Sequence, residues 1–277
     1  NDEDGKTPDD KEGDKPVVSI AATDAIAVEG IDNTVSFKVS QNNVSEITDT
    51  TVKVVVGTNS DVEAADFTSI SYTDVNGTLV TLNTQTDIQN FLTNGVEVKI
   101  PKGSKEAPVI TFTVEDDSVY EKLETLELTI DSATNADVST TASKATAVIN
   151  DEDGKTPDDK EGDKPVVSIV ATDAVATEGT TDTATFKISQ TNTSNFDTTV
   201  DVKLNLGTAS IEDISKVEYT DANGNTVELT SAQIDSLIAG TFKVEIPKGS
   251  TGEPSFTFTA TDDDIYESQE GFGLSIS

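Results

Sequence analysis

VEVKIPKGSKEAPVITFTV, residues 96–114, decides the fold: two runs with every second residue apolar, Val96, Val98, Ile100 and then Ile110, Phe112, Val114, flank the turn Pro101-Lys102-Gly103-Ser104. Side chains of an extended strand alternate between its faces, so a period of two in Val, Ile, Thr and Phe marks strands buried on one side. The alternation continues through Val35, Phe37 and Val39, through Val52, Val54 and Val56, through Leu126, Leu128 and Ile130, and through Ala145, Ala147 and Ile149. It returns at Phe186 and Ile188, at Val200, Val202, Leu204 and Leu206, at Val244 and Ile246, at Phe256 and Phe258, and at Phe272, Leu274 and Ile276. About seven such strands in each half predict an all-β chain of tandem antiparallel β-sandwiches.

The two halves are copies. NDEDGKTPDDKEGDKPVVSI runs from Asn1 to Ile20 and again, unchanged, from Asn150 to Ile169. Beyond it Glu29-Gly30 returns as Glu178-Gly179, Tyr72-Thr73-Asp74 as Tyr219-Thr220-Asp221, and Pro101-Lys102-Gly103-Ser104 as Pro247-Lys248-Gly249-Ser250. A unit of this size is an independent domain and not a solenoid repeat, so the chain reads as part of a tandem array. The expected organisation is an acidic linker at 1–15, a first sandwich at 16–153, a second acidic linker at 154–164 and a second sandwich at 165–277. Ser277 aligns with Asp131, so the second copy is expected to lack counterparts of Ser132–Asp153, a last strand among them. Asn76-Gly77 and Asn223-Gly224 predict one hairpin turn per copy. One short helix per copy is also expected: Thr230 or Ser231 caps a segment with Ile234, Leu237 and Ile238 on one face, stopped by Gly240, and Ile88, Phe91 and Leu92 match it. Tyr120 and Tyr266 read as packing residues at the core edge.

Of the 277 residues 52 are acidic and 18 basic, a formal net charge of −34, which repels nucleic acid and anionic lipid and makes multivalent cations the natural partners. Cys, His, Met and Trp are absent, and with them thiol chemistry, soft-metal sites and the commonest general base. Stability must then come from packing or from hard-metal ligation. No apolar run is long enough to span a membrane, so membrane insertion is not expected. Lys102-Gly103-Ser104 lacks the preceding glycines of a phosphate-binding loop, and Asp151-Glu152-Asp153-Gly154 lacks the alternating ligands of an EF-hand. Paired carboxylates have no His, Arg or Trp around which to build a sugar cleft, so no enzymatic activity is expected.

Carboxylates gather where strands should end: Asp116-Asp117-Ser118-Val119-Tyr120-Glu121-Lys122-Leu123-Glu124 in the first copy, Asp262-Asp263-Asp264-Ile265-Tyr266-Glu267-Ser268-Gln269-Glu270 in the second, and Asp151-Glu152-Asp153 after a last strand. Ca²⁺ takes six to eight oxygens from several loops and needs no nitrogen or sulfur. This DDxxYExxE segment, the Glu-Gly pair, the Asp66-Phe67 and Asp213-Ile214 pairs and the Asp-rich end resemble the Calx-beta domain of sodium/calcium exchangers, integrin β4 and large bacterial surface proteins. The resemblance implies an immunoglobulin-like sandwich. It also implies calcium ligands among Glu29, Asp66, Asp116, Asp117, Glu121, Glu124, Asp151, Glu152 and Asp153, and among Glu178, Asp213, Asp262, Asp263, Glu267 and Glu270. The stretch from Asp74 to Gly95 is longer than the family pattern.

The expectation for function is a non-enzymatic, monomeric extender: calcium-binding repeats of a secreted bacterial cell-surface adhesin of the RTX type, used in biofilm formation. Its partners are calcium ions and neighbouring repeats of the same polypeptide. The alternative is a regulatory calcium-sensor pair as in sodium/calcium exchangers.

Overall fold

The computed structural model describes residues 15–105, 108–151, 163–266 and 268–277. The linkers expected at 1–15 and 154–164 fall outside these except for Lys15, Asp163 and Lys164, and so do three of the expected ligands, Glu152, Asp153 and Glu267. The chain forms two compact units: of the described residues the first holds those up to 117 and 122–151, and the second holds 118–121 together with those from 163 on.

The first copy holds β1 (Val17–Asp24), β2 (Ile26–Val28), β3 (Thr34–Gln41), β4 (Thr50–Val56), β5 (Phe67–Thr73), β6 (Leu79–Leu82), α1 (Gln85–Asn94), β7 (Val96–Ile100), β8 (Val109–Val114), β9 (Val119–Tyr120), β10 (Glu124–Thr134), β11 (Asp137–Val138) and β12 (Lys144–Asn150). All of these strands but β9 build two sheets, in the orders β11-β1-β3-β8-β5-β6 and β2-β12-β10-β4-β7. The strands outnumber the roughly seven expected chiefly because β2, β6, β9 and β11, of three, four, two and two residues, are short pieces that show no alternation in sequence. The expected antiparallel pairing holds for the long strands, while β1 with β11 and β2 with β12 are parallel.

Alternation explains what lies between the sheets. Val35, Phe37, Val39, Ile110, Phe112 and Val114 from one sheet and Val52, Val54, Val98, Leu126, Leu128 and Ile149 from the other are at most 1 % exposed. Phe112 packs with Phe67, Phe91 and Phe37 at ring-centroid distances of 5.2, 5.3 and 6.0 Å. Burying one such side chain contributes about 1.5–3 kcal/mol. The helix adds Ile88 and Phe91 to the core. It starts where the Thr84 side chain accepts from the Asp87 N–H, and ends at Gly95, whose N–H reaches the Phe91 carbonyl.

The second copy repeats the plan with β13 (Val167–Asp173), β14 (Thr183–Gln190), β15 (Thr193–Ser194), β16 (Thr198–Asn205), β17 (Ile214–Thr220), β18 (Thr226–Glu228), α2 (Ser231–Ala239), β19 (Phe242–Ile246), β20 (Ser255–Ala260) and β21 (Gly273–Ile276). Its sheets run β13-β14-β20-β17-β18 and β19-β16-β21. The register supports the alignment of Ser277 with Asp131: Ile276 sits opposite Val202 as Ile130 sits opposite Val54. Both expected hairpins form. Asp74 and Asp221 organise the turns, each carboxylate accepting from the backbone N–H two and four residues on at 2.8–2.9 Å. Both expected helices form too, with Gly240 in the left-handed region at φ 75°.

Candidate metal centre

Strand register sets four segments side by side at one end of the first sandwich. β3 begins beside the end of β8, Thr34 opposite Thr113, and β5 begins there as well, Phe67 opposite Val114. β10 begins opposite the end of β12, Glu124 facing Ile149. Backbone bonds tie the loops: Val114 N–H to the Asn33 carbonyl at 2.7 Å, Glu115 N–H to the Asp66 carbonyl at 2.9 Å, and Glu29 N–H to the Asn150 carbonyl at 3.1 Å. The Glu-Gly segment, the loop ahead of Phe67, the acidic loop after β8 and the end of β12 therefore meet at that end.

Asp66, Glu121 and Glu124 each offer an oxygen within 4.8 Å of the others. Asp66 and Glu29 are each only 6 % exposed, and Asp151 is 3 % exposed. The Asp66 carboxylate accepts from the Glu63 backbone N–H. Burial pushes its carboxyl above the ordinary 3.8, and the charges of Glu63 and Asp117 act in the same direction against the hydrogen bonds from Glu63 and Glu124.

Asp116 lies against the Glu-Gly pair. Gly30 has φ +68°, and a Cβ there would stand 3.1 Å from Asp116 Oδ1. Glycine is thus required twice, for its left-handed backbone and for the close approach of the carboxylate. The second copy reproduces this contact: Gly179 has φ +65°, with Asp262 Oδ1 3.1 Å from a Cβ.

Of the expected ligands of the first copy, the structure brings Asp66, Glu121 and Glu124 into one group, sets Asp116 against Gly30, places Asp117 close enough to act on Asp66, and joins the Glu29 and Asp151 segments through the Glu29–Asn150 bond. In the second copy Asp213 and Glu270 hydrogen-bond, but Glu178, Asp262, Asp263 and Glu270 are all exposed. There the Ser210 N–H holds the Asp213 carboxyl below 3.8, with the Glu270 bond acting the same way.

Two acidic residues near the centre escape a reading of clusters. Asp61 bonds reciprocally with Thr125, its carboxylate taking the Thr125 N–H at 2.5 Å and its own N–H giving to the Thr125 carbonyl at 3.1 Å. Glu63 donates its N–H to Asp66 and adds charge beside it. Their structural counterparts are Thr208, whose hydroxyl takes the Gly271 N–H at 2.9 Å, and Ser210, whose N–H goes to Asp213 at 2.5 Å. The signal in the sequence was this difference between aligned copies, Asp to Thr and Glu to Ser, offset in part by Glu212 in place of Ala65, which leaves this segment of the second copy one charge poorer. The expectation for Tyr266 is overturned. It is 98 % exposed, whereas Tyr120 is half-buried.

No protein-family model matches the chain, and no curated protein does. Among solved structures, CBD12 from CALX1.2 is similar over 94 % of this chain and 79 % of its own, at 15 % identity and a TM-score of 0.32. The apo-form Calx CBD1 domain matches over 50 % of this chain and 99 % of its own, at 15 % identity and a TM-score of 0.32. A collagen-binding domain from a Staphylococcus aureus adhesin matches over 49 % and 96 %, at 12 % identity and a TM-score of 0.22. Likenesses this distant carry no argument about the site. The tandem all-β sandwich rests on the strand pairings themselves.

Proposed function

We propose that this chain is a pair of Calx-beta-like, calcium-binding repeats that act as a non-enzymatic structural extender of a secreted adhesin on a bacterial surface, of the RTX type and serving in biofilm formation. The observation that supports calcium binding best is the grouping of Asp66, Glu121 and Glu124, each offering an oxygen within 4.8 Å of the others. The donor set fits a hard cation: every group is a carboxylate oxygen, and the cluster lies among other carboxylates, Glu63 and Asp117 bearing on Asp66. Asp66, Glu121 and Glu124 hold the ion in this reading, with Asp116, Asp117, Glu29 and Asp151 completing or neutralising the shell, and the second copy uses Asp213, Glu270, Asp262, Asp263 and Glu178 more weakly. An ion there ties together the starts of β3, β5 and β10 and the ends of β8 and β12. It also fixes the point after Asp151 at which the chain enters the acidic linker, so the monomer works through calcium and neighbouring repeats of its own polypeptide.

Calorimetric melting with Ca²⁺, Mg²⁺ and NaCl at matched ionic strength tests this. A shift with Ca²⁺ well beyond those with Mg²⁺ and NaCl supports the proposal; equal shifts reduce the charge to a solvated surface. A dissociation constant near 0.1–1 mM fits an extracellular module, and one in the micromolar range marks a sensor.

A further inference from the structure

Glu127 is buried on the wrong side of its strand. Leu126 and Leu128 turn inward from β10, so Glu127 between them points away from the core, where a carboxylate is ordinarily solvated, yet it is only 6 % exposed. The cause is the loop after β4, which folds over it. The Gly57 N–H donates to the Glu127 carbonyl at 2.7 Å, and the Ser60 hydroxyl takes the Glu127 N–H at 2.9 Å and reaches the same carbonyl at 3.2 Å. The Asn59 side-chain amide donates to Glu127 Oε2 at 3.1 Å, and the Lys144 ammonium meets Oε1 at 3.0 Å. A Cβ on Gly57 would collide with the Glu127 carboxylate, so the loop comes this close because that residue is glycine.

The same loop leads to the candidate metal centre. Directly after Ser60, Asp61 bonds reciprocally with Thr125, the neighbour of Glu124. Beyond it comes Asp66, whose carboxylate takes the Glu63 N–H. β10 therefore carries Glu124 itself and, at Thr125 and Glu127, the two points on which the segment bearing Asp66 is anchored. Asp66 and Glu124 offer oxygens within 4.8 Å of each other, and two such charges repel without an ion between them. The anchors resist that repulsion, and Lys144 offsets the charge of Glu127, so this anchor adds little to the negative field. In the second copy Gly273, before Leu274, stands at the register position of Glu127, before Leu128. The loop there is held through Gly271 instead, whose carbonyl takes the Thr208 and Ala209 N–H groups at 3.0 and 3.4 Å and whose N–H goes to the Thr208 hydroxyl at 2.9 Å.

We propose that Glu127 is a positioning residue for calcium: it fastens residues 57–60 to β10 and so holds Asp66 at binding distance from Glu124, without itself touching the ion. This rests on the calcium reading above and adds to it a residue outside the acidic clusters. Its partner in the task is Asn59, which ties the loop to the carboxylate.

The test is a calcium titration of the whole chain followed by NMR at the Glu63 and Thr125 amides, which report on the first copy alone. Calcium is expected to shift both resonances. Glu127→Ala and Asn59→Ala are each expected to raise the dissociation constant about tenfold, the lower end for groups that orient metal ligands. Glu127→Gln, which keeps an acceptor for Asn59, is expected to restore part of the loss. A residue that served stability alone would lower the melting temperature in chelator and leave the dissociation constant of the folded chain unchanged. Asn59 is exposed, so its variant carries the test even where Glu127→Ala does not fold. Binding as tight as the parent's in either alanine variant overturns this proposal alone. Parent resonances that do not respond to calcium overturn the calcium reading and this proposal with it.

Discussion

Asp66→Asn separates a metal centre from an acidic surface, because the amide keeps the shape and the acceptor for the Glu63 N–H while removing one charge. Two ionised carboxylates 4.8 Å apart, the outer limit for this group, repel by about 3.5 kcal/mol at an effective dielectric near 20 and about 0.9 kcal/mol in water. The charges of Glu63 and Asp117 also bear on Asp66 and add to this. Without calcium the variant should therefore be as stable as the parent or more so, by up to about 1 kcal/mol once solvent screening is allowed for. With calcium the order reverses. An ion at a hundredfold its dissociation constant stabilises the parent by about 2.7 kcal/mol, roughly 10 °C in melting temperature for a unit of this size. The variant should lose most of that shift. Differential scanning calorimetry in chelator and in calcium measures both terms. A variant that keeps the full calcium shift, or is destabilised in chelator by more than about 1 kcal/mol, refutes the reasoning.

Gly30→Ala should destabilise the first unit by about 1–2 kcal/mol, because alanine is strained at φ +68° and its Cβ crowds Asp116; denaturant titration checks this, with Gly179→Ala as the matched case. Backbone N–H bonds hold the Asp74 carboxyl low, the Asn225 side chain and N–H do so for Asp221, and both lie below 3.8. Their contribution is thus present above pH 3.8 and lost as pH falls through the lower folded value, so amide exchange at both hairpin turns should accelerate on acidification and Asp74→Asn should blunt the response at its own turn. The second unit should melt first, as a separate calorimetric transition, because Phe186, Phe272 and Leu274 are part-exposed where Phe37, Leu126 and Leu128 are buried.

The long strands, both helices and both hairpins were legible because each depends on local signals: alternation, a threonine ahead of the helix, a glycine at positive φ. The edge pieces β2 and β11 were not, since three and two residues show no period and their parallel pairing depends on where β12 and β1 lie. Asp66, Asp116 and the acidic loop stood out by clustering and by recurring in both copies. Asp61 and Glu63 did not, because they reach the centre through backbone bonds to Thr125 and Asp66 set by tertiary contacts. Tyr266 misled for a related reason: its sequence context matches that of Tyr120, but its loop leaves the ring in solvent.

The most direct measurement is a crystal structure grown in calcium, with anomalous scattering used to locate the ion. The account predicts a peak among Asp66, Glu121 and Glu124, with their carboxylate oxygens about 2.3–2.6 Å from it. Crystals saturated with calcium that show no ion there, or an ion only at the linker residues Asp158 and Asp159, would contradict it.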